Sequence, residues 1–339
     1  MHHSCLWAAV GLSLFLVLPG CAAGANSAGA ASPGAMSSSD AQAFVSDVQR
    51  QRGLPTPPPV SSIADVLEVL ASDQTARFRD AESLVAGKPG VDALTLHASL
   101  ELAWSDDFTT LSLILDELGK RAAVEVKRLT ARREAGGALS AAEAKDLEQN
   151  QKNAEFDAKA KLALEVLAQD HLSAAGQVVA EATRQFPKDP LTNRVVAYHA
   201  LLSGEWLEFD AAIGWLKDIE AKDAGLIYLR ALESLSRFGV RKDAAALLRS
   251  ALQINPKMAR AQAKLALVED GIDAKYAEFE KLKALAPQHA IVWLAGPSIT
   301  SDYELSASFR KARAARQTAT PEGPAPALPP GASPPSATP

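Results

Sequence analysis

A pattern of small and large apolar residues occurs twice in this 339-residue chain, and each copy ends at a proline. The two prolines, Pro187 and Pro256, are 69 residues apart. In the first copy, apolar residues precede the proline by five, eight and twelve positions, and the second copy has apolar residues at the same three offsets: Ala182, Val179 and Ala175; Ala251, Leu248 and Ala244. Such spacing places the side chains on one face of a helix. The pattern therefore restricts this part of the chain to packed helices.

The match continues upstream, where three apolar positions in each copy have the same spacing: Leu162, Ala163 and Val166; Ala231, Leu232 and Leu235. The pattern resembles the tetratricopeptide repeat (TPR), in which small residues lie where two helices cross and a proline follows the second helix. The period of that repeat is about 34 residues. The resemblance implies a short right-handed solenoid of helix pairs, with room for one more copy between the two.

Two less regular copies complete this prediction. Residues 191–203 and 207–220 supply two helical segments between the clear copies, without an exit proline. Residues 259–268 and 274–285 supply a further pair that ends near Pro287. A helix pair cannot bury its apolar face alone, so at least three repeats are needed for stability. We therefore predict TPR-like repeats over residues 159–296.

The rest of the body also carries helical signals. Ser62 with Asp65, and Ser140 with Glu143, have the spacing of capping boxes at helix N-termini. Alternating patterns that are typical of strands are absent from the sequence. We expect an all-α fold, with an N-terminal helical region over 61–158 that flanks the repeats.

The N-terminus carries a different kind of signal. Residues 6–18 are almost entirely apolar, which is the length of a signal-peptide core and too short to span a bilayer. The run ends in Leu18-Pro19-Gly20-Cys21, which resembles the bacterial lipobox. The resemblance implies a signal peptide over 1–20 and lipid on Cys21. Ala22 then implies an outer-membrane anchor that faces the periplasm, or a cell-membrane anchor where there is one membrane.

Two segments have compositions that disfavour packing. Residues 21–60 begin with an uncharged run of Ala, Gly, Ser, Asn and Pro, and are predicted to form a flexible tether. A terminal helix is expected over 297–317. Residues 318–339 contain eight prolines and one charged residue, Glu322, and are predicted to be disordered.

Signals for other function classes are weak. The net charge of −5 disfavours a nucleic-acid partner. No P-loop or Gly-x-Ser-x-Gly sequence is present, so we expect no cofactor and no small-molecule substrate. The histidines at positions 97, 171, 199 and 289 are scattered and are predicted to lie at the surface or at helix ends, without a metal.

Two pairs of residues admit a catalytic alternative. Asp106 and Asp107 are predicted to begin a helix, although paired carboxylates also suit general acid–base chemistry. Glu233-Ser234 resembles the Glu-Ser pair of peptidoglycan-cleaving lytic transglycosylases, but the Gly-rich motif that this family has downstream is absent. We therefore expect no catalytic residues.

The predicted function is binding to a protein of the cell envelope, as a lipid-anchored adaptor or assembly factor. By the TPR resemblance, the partner would contact the concave side of the repeats, where eight residues are expected: Ala160, Leu164, Leu167, Ala168, Leu229, Glu233, Ser236 and Arg237. Two alternatives remain open, a structural tether between membrane and cell wall and a cell-wall hydrolase.

Overall fold

A computed structural model describes residues 36–53, 58–220 and 222–319, and all regular secondary structure within them is helical. The α-helices are α1 (Ser38–Gln51), α2 (Ile63–Ala71), α3 (Phe78–Val85), α4 (Val91–Glu134), α5 (Ala141–Gln185), α6 (Pro190–Ser203), α7 (Trp206–Trp215), α8 (Lys217–Glu220), α9 (Ala224–Ser236), α10 (Arg241–Ile254), α11 (Ala259–Val268), α12 (Ile272–Leu285) and α13 (Gly296–Ala319). A 3₁₀ turn at Thr75–Arg77 precedes α3, and a π-helical turn at Ile291–Ala295 precedes α13. The prediction of an all-α fold is confirmed for these residues. None of their helices has the length and apolar composition needed to cross a membrane.

Local sequence explains where α2 and α5 begin. The backbone N–H of Asp65 donates to Ser62 Oγ at 3.2 Å, and the Ser62 N–H donates back to the Asp65 carboxylate at 2.9 Å. Ser140 and Glu143 make the same reciprocal pair of hydrogen bonds at the start of α5. Each box satisfies N–H groups that the first helical turn leaves without partners. Both predicted capping boxes are therefore confirmed.

The longest packed pair consists of α4, with 44 residues, and α5, with 45. Gly136, whose φ of +80° suits glycine, lies in the short connection between them. Gly119 of α4 faces α5, and a Cβ built there would lie 3.4 Å from the Cβ of Asp157. The missing side chain lets the two helices approach closely at this point.

The unbroken helix α4 contradicts the prediction that a helix begins at Asp106 and Asp107. Asp106 and Asp107 do not begin a helix, because α4 starts at Val91 and runs through both of them. Both side chains are buried, so they do not serve as exposed caps. Apolar residues continue on either side of the pair, and their burial keeps the segment helical.

The unbroken helix α5 contradicts the prediction of a helix pair in the first repeat copy. The first clear repeat copy, 159–187, was expected to be a helix pair, but residues up to Gln185 belong to one unbroken helix. Residues 159–185 contain no proline, and their glycine, Gly176, packs against the ring of His199 instead of forming a turn. The other three predicted copies are helix pairs, α6 with α7, α9 with α10, and α11 with α12.

The prediction of a flexible tether over 21–60 is wrong for residues 38–51, because α1 is a packed helix. Ala41, Val45 and Val48 are buried, and they recur at the helical spacing of four and three residues. α1 contacts α5, and the ring of Phe44 lies 6.0 Å from that of Phe156. Cys21, the predicted signal peptide and residues 320–339 of the predicted tail lie outside the described residues.

The C-terminal elements return to the long pair. The π turn and α13 both contact α4, and Arg121 of α4 pairs with Asp302 of α13 at 2.7 Å. Ser298 Oγ donates to the buried carboxylate of Asp157 on α5 at 3.0 Å. α13 thus occupies the segment where a terminal helix is expected. It packs against the long helices α4 and α5.

We expect Asp157→Asn to stabilise the protein at pH 8. Burial raises the pKa of Asp157 to about 6, against the effect of the Ser298 hydrogen bond. The pKa of Asp157 is higher in the folded protein than in the unfolded chain. The free energy of unfolding therefore decreases as pH rises from about 4 to 6, because the buried side chain loses its proton. An amide can still accept from Ser298 but carries no charge. Thermal unfolding should show a gain of about 1 kcal/mol at pH 8, after allowance for solvent screening, and almost none at pH 4. An equal gain at both pH values would contradict this.

Candidate functional site

A cavity of about 520 Å³ opens between α2, α4, α6, α9 and the start of α11, and we call it the groove. Its walls are mainly aliphatic, and include Leu67, Leu70, Leu96, Leu191, Val195 and Leu229. This volume lies within the range of about 300–1,000 Å³ that is typical of binding clefts. The groove is therefore large enough to hold several side chains of a ligand.

Three aliphatic side chains of the groove are strongly exposed. Ile63 is 44% exposed and Leu67 is 53% exposed, and both lie on α2. Leu191, at the start of α6, is 40% exposed. Apolar side chains around a concave cavity are typical of binding clefts.

The groove also contains polar side chains with fixed orientations. Tyr198 of α6 and Tyr228 of α9 donate their hydroxyls to one oxygen of Asp106, with a distance of 2.8 Å for Tyr198. Arg260 of α11 also lines the groove. Tyr198, Tyr228 and Arg260 are each buried, so their positions are set by their partners inside the protein.

Beneath the groove lies a cluster of charged side chains that we call the polar centre: Asp73, Asp106, Asp107, Arg260, Lys264 and His289. Lys264 Nζ lies 2.8 Å from Asp106 Oδ1, and Arg260 lies 2.5 Å from Asp73 Oδ1. All six residues are less than a tenth exposed. Buried charges are tolerated only when they are paired and hydrogen-bonded. The ion pairs therefore hold together four parts of the chain that are far apart in sequence.

The protonation of His289 follows from its two contacts. The backbone N–H of Ile291 donates to His289 Nδ1 at 3.2 Å, so Nδ1 is the unprotonated nitrogen. Nε2 therefore carries the proton and donates it to Asp73 Oδ2 at 3.1 Å. This contact fixes the start of the π turn against the loop that follows α2.

Asp73 and Asp107 differ in acidity. Burial raises the pKa of Asp107 well above its ordinary value, and the neighbouring carboxylate of Asp73 adds to the effect. Burial would also raise the pKa of Asp73, but the adjacent Arg260 and His289 outweigh it and lower that pKa. Oδ2 of Asp107 is buried without a hydrogen bond among the described residues. The two carboxylates therefore differ in acidity because Arg260 and His289 both contact Asp73 directly, whereas Asp107 Oδ2 has no such partner in the described part of the chain.

Most of the residues predicted to contact a partner do not line the groove. Of the eight, only Leu229 lines the groove. The four on α5 are buried in the core with residues of α1 and α4, so no open surface exists at Ala160, Leu164, Leu167 and Ala168. That part of the prediction is wrong because α5 is covered on the side expected to face a partner. Glu233 is buried as well, whereas Ser236 is half-buried and Arg237 is exposed.

Glu233 and Ser234 are engaged in contacts within the protein. Glu233 pairs with Arg230 at 2.8 Å and with Arg237 at 3.1 Å, and these arginines extend to acidic residues of α7 and α8. The Ser234 hydroxyl donates to the carbonyl of Val240 at 3.1 Å. The pair thus fixes α9 to its neighbours, and neither side chain lines the groove.

Two groups of side chains have the composition of metal ligands. One is Asp73, Asp107 and His289 in the polar centre, and the other is Glu82, His97 and Glu101. Arg260 already pairs with Asp73 in the first group. Sequence reasoning missed both groups. The only local signal is the spacing of four residues between His97 and Glu101, which places them on one helix face.

Comparisons with known proteins give no relative. No protein-family model matches this chain, and neither a curated protein nor a solved structure matches it. The geometry of the groove and of the polar centre is therefore the basis for assigning a function.

Proposed function

We propose that this protein is a non-catalytic, lipid-anchored adaptor that binds an apolar segment of another cell-envelope protein in the groove. The lipobox-like sequence at Cys21 supports an anchor in the outer membrane with the body facing the periplasm. Residues 21–37 would then connect the lipid to α1. The three helix pairs from α6 to α12 support a short, right-handed, TPR-like solenoid as the scaffold.

The exposed aliphatic rim is the observation that carries this proposal. Leu67 and Leu191 lie on different helices and project more than a third of their surface into solvent at the same cavity. Removal of apolar surface from water is favourable by about 25 cal/mol per Å², and the loss of translational and rotational freedom offsets part of this gain on association. A partner segment with apolar side chains would cover this rim and gain that free energy.

The residues within the groove support a protein partner. Tyrosine and arginine are the residue types that dominate binding energy at protein interfaces. Tyr198, Tyr228 and Arg260 are held by the polar centre before any partner binds. The parts of these side chains that line the groove are therefore fixed before a partner binds, which lowers the entropy cost of binding.

Site-directed photo-cross-linking in living cells tests the proposal. A photoreactive amino acid at Leu67 should form an adduct with one protein of the envelope. The same amino acid at Leu207, which is 88% exposed on α7 and does not line the groove, should not. Cys21→Ala should release the protein from the membrane fraction.

Each alternative predicts another result. Equal adducts from positions 67 and 207 would show that the groove has no special role and would contradict the adaptor. Cross-links to peptidoglycan alone would favour a structural tether. Peptidoglycan cleavage by the purified protein would favour a hydrolase. An anchor that survives Cys21→Ala would contradict the proposed lipidation.

A further inference from the structure

We infer that Glu82, His97 and Glu101 form a binding site for a divalent transition-metal ion of the zinc type. Glu82 lies on α3, and the other two residues lie one turn apart on α4. At about 100° per residue, His97 and Glu101 face away from Thr95 and Ser99, which line the groove. The site is thus separate from the one assigned to the partner protein.

The three donor atoms converge without bonding to one another. His97 Nε2 lies 3.8 Å from Glu82 Oε1 and 3.8 Å from Glu101 Oε1, and all three atoms lie within 4.8 Å of each other. These distances are too long for hydrogen bonds. Among the described residues, none of the three atoms takes part in any other hydrogen bond, so each is available to a ligand.

The spacing suits a shared cation. Zinc binds imidazole nitrogen and carboxylate oxygen at about 2.0–2.2 Å in tetrahedral geometry, which places neighbouring ligand atoms about 3.4 Å apart. The separations of 3.8 Å need a contraction of only a few tenths of an ångström. Small rotations of the two glutamate side chains would achieve it.

Among the described residues, the two carboxylates of this site have no lysine or arginine partner. Within the described part of the chain, no lysine or arginine forms an ion pair with Glu82 or Glu101, and both carboxylates contact only histidines. Glu101 is 4% exposed. A buried carboxylate is stabilised by a nearby positive charge. A divalent ion held by the three donor atoms would supply such a charge.

A second histidine positions Glu101. His171 of α5 contacts the other carboxylate oxygen, Oε2, at 2.7 Å through its Nδ1. The His171 ring is stacked on Trp104 with a centroid distance of 4.5 Å, which restricts its rotation. Ligands of bound metals are commonly oriented by hydrogen bonds of this kind. His171 is therefore assigned as a positioning residue and leaves Oε1 directed to the metal.

The donor set also indicates the class of metal. Imidazole suits zinc, copper, nickel and iron, whereas magnesium and calcium prefer an all-oxygen environment. The side chains of His97 and Glu82 are 17% and 32% exposed, so an ion can enter from solvent. Solvent would complete the coordination beside three protein ligands.

Competition with a chromophoric chelator tests the inference on the full chain, with Zn²⁺ alone as the probe. Wild-type protein should bind one equivalent that His97→Ala does not bind, and Zn²⁺ should raise its thermal midpoint. Co²⁺ should give a visible absorption band that disappears in the same variant. His171→Ala should weaken binding by about 10–100-fold, because Glu101 loses its orientation.

The control is His199→Ala, which removes a half-buried histidine on α6 and should bind Zn²⁺ like wild type. If His97→Ala does not fold, Glu82→Gln takes its place, because Glu82 is partly exposed and its substitution disturbs packing less. This variant should also fail to bind the one equivalent of Zn²⁺. Binding that is unchanged by His97→Ala and by Glu82→Gln would overturn the site. A thermal midpoint that does not respond to Zn²⁺ would overturn it too.

Discussion

Asp106→Asn should destabilise the protein by about 3–5 kcal/mol in urea unfolding at pH 7. Asp106 Oδ2 accepts from Tyr198 and Tyr228, and Oδ1 faces the ammonium group of Lys264. Both oxygens thus meet donors, whereas asparagine offers one oxygen and one NH₂ group. The NH₂ group would face a donor, and Lys264 would stay buried beside a neutral side chain. This substitution leaves the shape of the side chain nearly unchanged, so the loss would report on charge and hydrogen bonding and not on packing.

Two further variants separate charge from hydrogen bonding. Lys264→Met should lower the free energy of unfolding less in the Asp106→Asn background than in wild type. In that background the ammonium group of Lys264 has already lost its anionic partner. Tyr228→Phe should cost about 1 kcal/mol, since it deletes one hydrogen bond and creates no unpaired charge. A double-mutant cycle from these unfolding measurements gives the energy of the Asp106–Lys264 pair.

Asp116→Asn is the matched control on the same helix. Asp116 pairs with Lys120 and Lys161, but all three side chains are partly exposed. Ion pairs of this kind contribute about 0–1 kcal/mol. If Asp106→Asn destabilises the protein no more than Asp116→Asn does, the polar centre does not hold the fold together.

The double substitution Leu67→Glu with Leu191→Glu should weaken partner binding at least thirtyfold and leave the thermal midpoint within a few degrees. The two leucines are about half exposed and line the groove from different helices. Carboxylates there would have to be desolvated when an apolar segment binds. A thirtyfold loss corresponds to about 2 kcal/mol, which is the usual size of an interface hot spot.

Recovery of the cross-linked partner from cells measures this effect, and Leu207→Glu is its control. That change adds the same charge at an exposed leucine outside the groove, so recovery should equal that of wild type. Equal recovery for the groove variant and its control would reject the groove as the partner site. Loss of the fold in the groove variant would show instead that Leu67 and Leu191 are structural.

The helical character of this chain could be predicted from sequence because its signals are local. Apolar spacing along helices such as α9 and α10 repeats within a few residues, and the Ser62 and Ser140 boxes need only a neighbour three positions away. The same spacing is present in α1 at Ala41, Val45 and Val48. The Ala- and Ser-rich composition around it favours a flexible tether, so composition and apolar spacing give opposite predictions for this segment.

The lengths of α4 and α5 were not accessible to the same reasoning. Asp106 and Asp107 have the composition of a helix start, and the segment 159–187 has the pattern of a helix pair. Whether a helix continues through such a segment depends on what covers it. Tyr198, Tyr228 and Lys264 surround Asp106, and α1 and α4 cover the middle of α5.

Local sequence patterns are enough to predict that the described residues are helical and where α2 and α5 begin. They do not reveal which surface is open or which charges are buried together, because the residues concerned are far apart along the chain. Ion pairs such as Asp73–Arg260 join residues 187 positions apart, and the groove exists only where α2, α4, α6, α9 and α11 meet. Periodicity reports on neighbours within a turn or two and contains no information about such contacts.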